Sequence, residues 1–310
     1  MAWNPEVLPD LTGRTYAVTG GNAGIGYFIA EQLAAAGAHL VILGRNPDRM
    51  GAAVTAIRHH VPTADVTTIP LDLADLESVA SAAAALTRLD RLDALIHNAG
   101  VNAPARRATT RQGLELTVGT NHLGHVALTA LTLPVLAATP GSRIVPVGSI
   151  MTRRTGFDLD DLLSERSYTP RQAYVRSKHA VQMFGLELDR RLRHADVDVR
   201  SIVVHPGLGL DGASPRRPGV NQPSPLARFS ARLLSPLAQG KHRAAWVAVR
   251  AAVDPGAEGG QYYSPRRRGI GVPVLGTPPE VDTDRDLAAR LWSMSQELTG
   301  VDFPALAARP

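Results

Sequence analysis

Apolar positions along the chain alternate between two textures. Short continuous runs at 16–18, 39–43, 66–71, 92–96, 142–147 and 199–204 read as buried strands, while the stretches between them carry apolar residues at helical spacing. The helical pattern predicts helices at about 24–36, 47–60, 76–86, 114–133 and 171–193. Strands alternating with helices of this length imply a parallel sheet covered on both faces, an α/β doubly wound fold. No internal repeat interrupts the series. After residue 207 the texture changes to Pro, Gly, Ser and Arg, with one amphipathic piece formed by Leu226, Phe229, Leu233 and Leu234. A substrate lid is expected over 208–240, because this stretch follows the carboxyl end of a parallel strand. The interleaved Arg228 and Arg232 also suit a membrane-surface helix, but the stripe is short. A helix at 244–253 and the apolar GVPVLG segment are expected to finish the sheet, and Leu287, Leu291, Trp292 and Met294 to pack a terminal helix onto the core.

The first strand leads straight into the stretch RTYAVTGGNAGIG at 14–26, a strand, a glycine turn and a helix start in succession. Gly20, Gly24 and Gly26 let the backbone approach a pyrophosphate, which the free N–H groups and partial positive charge of the new helix's N-terminus would hold. At the end of the second strand, NAD-binding folds place an Asp or Glu against the ribose 2′-hydroxyl. Here Gly44 and then Arg45 stand at that position, so a carboxylate that would repel a 2′-phosphate is missing and a guanidinium that could bind it is present. Asp72 is read either as an acceptor for an adenine amino group or as the cap of the helix beginning near Asp75. The small residues of Asn98-Ala99-Gly100 leave room for a cofactor beside the backbone.

Composition narrows the class. The 310 residues are 44% hydrophobic, enough for a sizeable core, and contain no cysteine, which removes disulfides and cysteine metal sites. No basic segment followed by an apolar run opens the chain, and no stretch approaches about 18 uninterrupted apolar residues. A cytoplasmic protein without an integral membrane segment is the expectation. The net charge of +5 comes from scattered arginine pairs without aromatic interleaving, which argues against nucleic-acid binding. Only two of the 33 basic residues are lysine, Lys178 and Lys241.

Tyr174 and Lys178, four residues apart, share one face of the helix expected at 171–193. A free tyrosine titrates near pH ~10; a neighbouring ammonium and an oxidised nicotinamide would stabilise its phenolate and suit it to proton exchange. Ser149 would hydrogen-bond a substrate oxygen, and Asn121 would either hold a water in a proton relay or bridge helices. Gly148-Ser149-Ile150-Met151 lacks the flanking glycines of a hydrolase nucleophile elbow.

Taken together, TGGNAGIG at 19–26, NAG at 98–100, Asn121, Ser149, Tyr174-Val-Arg-Ser-Lys178 and Pro206-Gly207 resemble the motif set of the short-chain dehydrogenase/reductase family over about residues 10–265. The NHLGH at 121–125, GRN at 44–46, SERSYTPRQAYVRSK and GQYYSP resemble its retinol-dehydrogenase-like branch. The resemblance implies a single Rossmann-fold domain at 10–265 with 266–310 as a packed C-terminal extension. It further implies a catalytic tetrad of Asn121, Ser149, Tyr174 and Lys178, and NADP(H) as cofactor. Gly20, Asn22, Gly24, Ile25, Gly26, Arg45, Asp72, Leu73, Asn98, Ala99, Gly100, Tyr174, Lys178, Pro206 and Gly207 would contact that cofactor; no metal is expected. The implied reaction is hydride transfer between NADP(H) and a bulky apolar alcohol or carbonyl compound, the rival reading being a non-catalytic dinucleotide sensor. The family contains monomers, dimers and tetramers, so homo-oligomerisation stays open. Three positions depart from the family's usual residues: His97 for Asn, Gly148 for Ser, and Asp211 where a Thr commonly donates to the nicotinamide carboxamide, which an ionised aspartate cannot do.

Overall fold

A computed structural model describes residues 3–267 and 269–306. The first β-α-β unit is β1 (Thr15–Thr19), α1 (Gly24–Ala35) and β2 (His39–Gly44); α2 (Pro47–His60), β3 (Val66–Pro70), α3 (Leu76–Leu86) and β4 (Ala94–His97) follow. A short helix α4 (Leu116–Val118), a π-helical turn (Gly119–Leu123) and α5 (Gly124–Ala137) lead to β5 (Ser142–Pro146), α6 (Pro170–His194), β6 (Val199–Ser201) and β7 (Val203–Val204). Residues 208–240 hold β8 (Gly209–Leu210), α7 (Pro225–Leu233) and β9 (Gln239–Gly240). The chain finishes through α8 (Lys241–Ala244), α9 (Trp246–Val253), β10 (Tyr262–Arg267), β11 (Ile270–Leu275) and α10 (Arg285–Thr299).

Six parallel strands run in the order β3-β2-β1-β4-β5-β6. Successive strand side chains point to opposite faces, and here both faces are apolar. Tyr16, Val18, Leu40 and Ile42 face one core with Phe28, Ile29, Ile57 and Val249, while Ala17, Val41 and Leu43 face the other with Val79, Val126, Leu133 and Phe184. Each such large side chain contributes about 1.5–3 kcal/mol by leaving water, which locks the strand register. The strand order reverses at the β1–β4 boundary, opening the crevice at the carboxyl ends where ligands bind in such sheets.

Four expectations are corrected. The helix expected over 114–133 is broken by the π turn around Asn121, a rearrangement set by side-chain bonds described below. The strand expected at 199–204 is split at Ile202, because β6 pairs with β5 whereas β7 pairs in parallel with β10. The strand expected from residue 92 begins at Ala94. GVPVLG forms a strand but does not finish the six-stranded sheet: it is the antiparallel partner of β10 in a separate three-stranded sheet of order β11-β10-β7. Helix α10 lies against α6, where Trp292 stacks on Phe184 with ring centroids 5.3 Å apart and Arg191 covers the indole. Among the described residues no helix is long and apolar enough to cross a membrane.

Five histidines are buried in this fold: His97 at the end of β4, His122 and His125 at and just after the π turn, His179 on α6, and His205 after β7. His97 and His125 stack with centroids 4.6 Å apart. Burial disfavours the imidazolium, holding His97 well below the usual range, His122 to about 3, and His125 and His205 to about 4. An unfolded chain takes up these protons near pH ~6.5, whereas the folded chain does not until about pH 4. Stability is therefore expected to be fully present above pH ~6.5 and to fall as the pH drops toward 4. Urea unfolding between pH 7.5 and pH 4.5 measures this; equal midpoints across that range would contradict it.

Candidate active site

The turn between β1 and α1 is pressed against the end of β4. A Cβ on Gly26 would lie 2.3 Å from Asn98 Nδ2 and 2.4 Å from the Gly20 carbonyl oxygen, so only glycine fits. Asn98 Nδ2 donates to the Thr19 carbonyl at 3.1 Å, and the Ala99 amide donates to Thr19 Oγ1 at 3.0 Å. These bonds draw the β1 and β4 loops together. The N-terminus of α1 has no side-chain cap and no acidic residue in its first turn. Its free N–H groups and positive dipole end therefore remain available to an anion.

A cavity of about 870 Å³ runs over this turn. Gly20, Asn22, Gly24 and Ile25 line its middle; Gly44, Arg45, Asn46, Arg49, Asp72 and Leu73 line one end; Asn98, Ala99, Gly100, Ser149, Tyr174, Pro206 and Gly207 line the other. Arg45 and Arg49 are both exposed at their end. A Cβ on Gly44 would lie 2.8 Å from Asn22 Oδ1, so this crowded position is filled by the backbone alone. Asp75, accepting from the Glu77 amide, caps α3, which overturns the capping reading of Asp72. Asp72 Oδ1 instead accepts from the Ala74 amide at 3.0 Å on the cavity wall.

Gly26, Asn121 and Lys178 sit behind that wall rather than in it. Asn121 Oδ1 accepts from the Val101 amide at 2.7 Å, while its Nδ2 donates to the Val101 carbonyl and to Ser177 Oγ. Those three bonds fasten the chain after β4 to α6 and hold the π turn open. His125 braces the same turn from below, with Nδ1 2.9 Å from the Asn121 carbonyl and Nε2 3.0 Å from Thr19 Oγ1. Of the two readings of Asn121, the interhelical bridge is what its amide makes.

Tyr174 and Lys178 lie on one face of α6. Burial pushes the Tyr174 phenol up, with the Ser149 hydroxyl acting in the opposite direction. The Lys178 ammonium is itself buried, donates to the Val147 carbonyl at 2.9 Å, and is lowered to about 8 by desolvation. Gly100 brings the groups together: a Cβ there would stand 3.2 Å from Asn121 Oδ1 and 3.5 Å from Lys178 Nζ.

Behind Ser149 lies a polar clamp that sequence reading missed. Gln182 Oε1 accepts from the Ser149 amide at 3.2 Å, and its Nε2 donates to Thr152 Oγ1 and to Asp282 Oδ2. Asp282 Oδ1 lies 2.6 Å from His179 Nδ1, whose Nε2 lies 2.9 Å from the Thr155 carbonyl oxygen. Burial raises the Asp282 carboxyl, with the bonds from His179 and Gln182 working against it. The segment before α10 thereby fixes the backbone that presents Ser149. A second omission is Lys241, whose side chain reaches the cavity beside Gly24.

A parallel sheet of this order, with a glycine turn at its switch point and Ser, Tyr and Lys gathered at the strands' carboxyl edge, defines a dinucleotide-binding oxidoreductase fold. The chain belongs to the short-chain dehydrogenase family, whose sequence profile matches residues 14–210, and within it to the retinol-dehydrogenase-like branch. It is 37% identical to polyprenol dehydrogenase of Mus musculus over 96% of this chain and 87% of that protein. It is 33% identical to retinol dehydrogenase 13 of Homo sapiens over 97% of this chain and 88% of that protein. A crystal structure of an uncharacterized protein from Mycobacterium paratuberculosis superposes with a TM-score of 0.79 at 31% identity, covering 98% of this chain and all of that one.

The clamp explains one departure from the family pattern. A Cβ on Gly148 would fall 2.2 Å from Gln182 Oε1, so the amide of Gln182 occupies the space a serine would need. Gly148→Ser is expected to destabilise the protein by about 1–3 kcal/mol through overpacking. Gly148→Ser with Gln182→Ala should lose less than the sum of the two single changes. A urea-denaturation double-mutant cycle tests this, and additivity within about 0.5 kcal/mol would refute the clash.

Proposed function

We propose that the protein is an NADP(H)-dependent oxidoreductase that interconverts a long or bulky apolar alcohol and its aldehyde or ketone. The observation that carries this reading is the meeting of Ser149 and Tyr174 on the wall of the cavity that also contains the uncapped N-terminus of α1. Along that cavity the residues suit a dinucleotide: Arg45 and Arg49 for a 2′-phosphate, Asp72 and Leu73 beside the adenine, and the Gly20–Gly24 turn for the pyrophosphate. Asn98, Ala99, Gly100, Pro206 and Gly207 would border the nicotinamide. When bound, the cofactor supplies or accepts the hydride.

The chain's own residues handle the proton. Ser149 Oγ hydrogen-bonds the substrate oxygen, and Tyr174 Oη gives its proton to that oxygen as negative charge develops there, or takes it back in the reverse direction. Lys178, one helical turn away, supplies a positive charge that favours the phenolate, and its remaining N–H groups suit the nicotinamide ribose hydroxyls. Asn121 positions the loop after β4 so that Gly100 stays close to Lys178. Relatives named for polyprenol and retinol support an apolar substrate. So does α7, which presents Leu226, Phe229 and Leu233 to solvent in the lid.

Two experiments test the reading. Tyr174→Phe is expected to remove at least about 99% of retinal or polyprenal reduction, on the scale of general acid catalysis. Its NADPH affinity should stay within a few-fold, and retained turnover would defeat the assignment. Arg45→Ala combined with Arg49→Ala should weaken NADPH binding about tenfold or more while leaving NADH nearly unchanged, as read by fluorescence titration. Equal losses for the two cofactors would refute the 2′-phosphate site.

A further inference from the structure

The two ends of the lid segment are tied together beside the glycine turn. Gly209 and Leu210 pair with Gln239 and Gly240, and the Lys241 amide donates to Ser214 Oγ at 2.8 Å. Gln32 of α1 donates to the His242 carbonyl at 2.8 Å, fastening the start of α8 to the helix whose N-terminus faces the cavity. The Lys241 stem runs over Gly209, where a Cβ would lie 3.2 Å from Lys241 Cγ. Its ammonium ends 2.7 Å from Asp211 Oδ1 and 3.8 Å from the position a Cβ on Gly24 would occupy. Asp211 is the residue that stands where the family commonly has Thr, and its carboxylate is largely exposed.

We propose that Lys241 is a ligand of the dinucleotide pyrophosphate and that Asp211 is its alternative partner, so that nucleotide binding exchanges one ion pair for another at the base of the lid. This rests on the dinucleotide reading above. An ammonium beside the uncapped α1 terminus adds a full positive charge where the helix offers only a partial one. The pair with Asp211 is a weak competitor because an exposed carboxylate in contact with water gains little from one cation. A pyrophosphate carries two negative charges and meets the helix N–H groups at the same place. From residue 212 to residue 253 the sequence contains Arg and Lys but no Asp or Glu, so no other acid of the lid or of α8 and α9 competes for the ammonium. The exchange frees Asp211 and links the lid's base to occupancy of the site.

The test measures binding rather than turnover. Lys241→Met is expected to weaken NADPH and NADH about tenfold each, with a shallower salt dependence than the wild type. It should leave 2′-AMP, which lacks the pyrophosphate, within twofold; that control also shows the mutant site is folded. Asp211→Asn is expected to bind NADPH at least as tightly as the wild type. Unchanged NADPH affinity in Lys241→Met would overturn the proposal. A loss in Asp211→Asn as large as that in Lys241→Met would also overturn it, since the pair would then be a structural brace. Wild-type protein that binds neither NADPH nor NADH would instead defeat the cofactor reading itself.

Discussion

The site depends on how closely the first glycine turn is pressed against the end of β4. Where a side chain on Gly26 would project, Asn98 Nδ2 and the Gly20 carbonyl already stand, and Asn98 spends that amide on the Thr19 carbonyl. The contact pins the loop after β1 to the loop after β4 at the place where the strand order reverses. Beside it the α1 N-terminus, with Ala23 at the cap position, is uncapped and faces the crevice. Close packing of this kind cannot deform gradually, because interiors are near crystal density. It fixes where the glycine turn in the middle of the cavity stands relative to the Ser149–Tyr174 end.

The second constraint is the π turn around Asn121. The turn moves one residue out of helical register so that the Asn121 amide can pair with both backbone groups of Val101 and with Ser177. π-type turns concentrate at functional sites because they trade regular hydrogen bonding for placement of one side chain. Through Val101 and Gly100 the placement reaches Lys178, and through His125 it reaches Thr19 at the foot of the glycine turn. A third support comes from the far end of the chain, where Asp282 holds Gln182 and Gln182 holds the Ser149 backbone. The loop after β4, the foot of the glycine turn and the Ser149 backbone are thus each held by buried hydrogen bonds, each costly to leave unmade.

What could be read in the sequence was local. The strand–glycine–helix succession at 14–26 and the four-residue spacing of Tyr174 and Lys178 each lie within one or two elements, and both appear in the structure where expected. The strands and α2, α3 and α6 followed from apolar periodicity to within two residues at most ends. The π turn was not legible, because a helical pattern at 114–133 continues through it and the bonds that open it come from Val101 and Ser177, on other elements. Choosing between the two readings of Asp72 required backbone geometry. Gln182, Asp282 and Lys241 carry no motif at all. Asp282 meets its partner across 100 residues, and Lys241 reaches Gly24 only because the chain after β8 doubles back to pair with it through β9. The scarcity of lysine in an arginine-rich chain is the one signal the sequence carries for Lys241.

The central claim is that the cavity over the glycine turn holds NADPH with its nicotinamide beside Tyr174 and delivers hydride to a carbonyl carbon there. The most direct measurement is isotope transfer: purified protein, NADPH deuterated at nicotinamide C4 on one face or the other, and retinal or a polyprenal, with the product alcohol analysed by mass spectrometry. The account predicts one deuterium at the carbinol carbon from one cofactor face only, and none from either face with Tyr174→Phe. Alcohol formed without deuterium from either face, or no alcohol formed by wild-type protein that binds NADPH and these aldehydes, would contradict it.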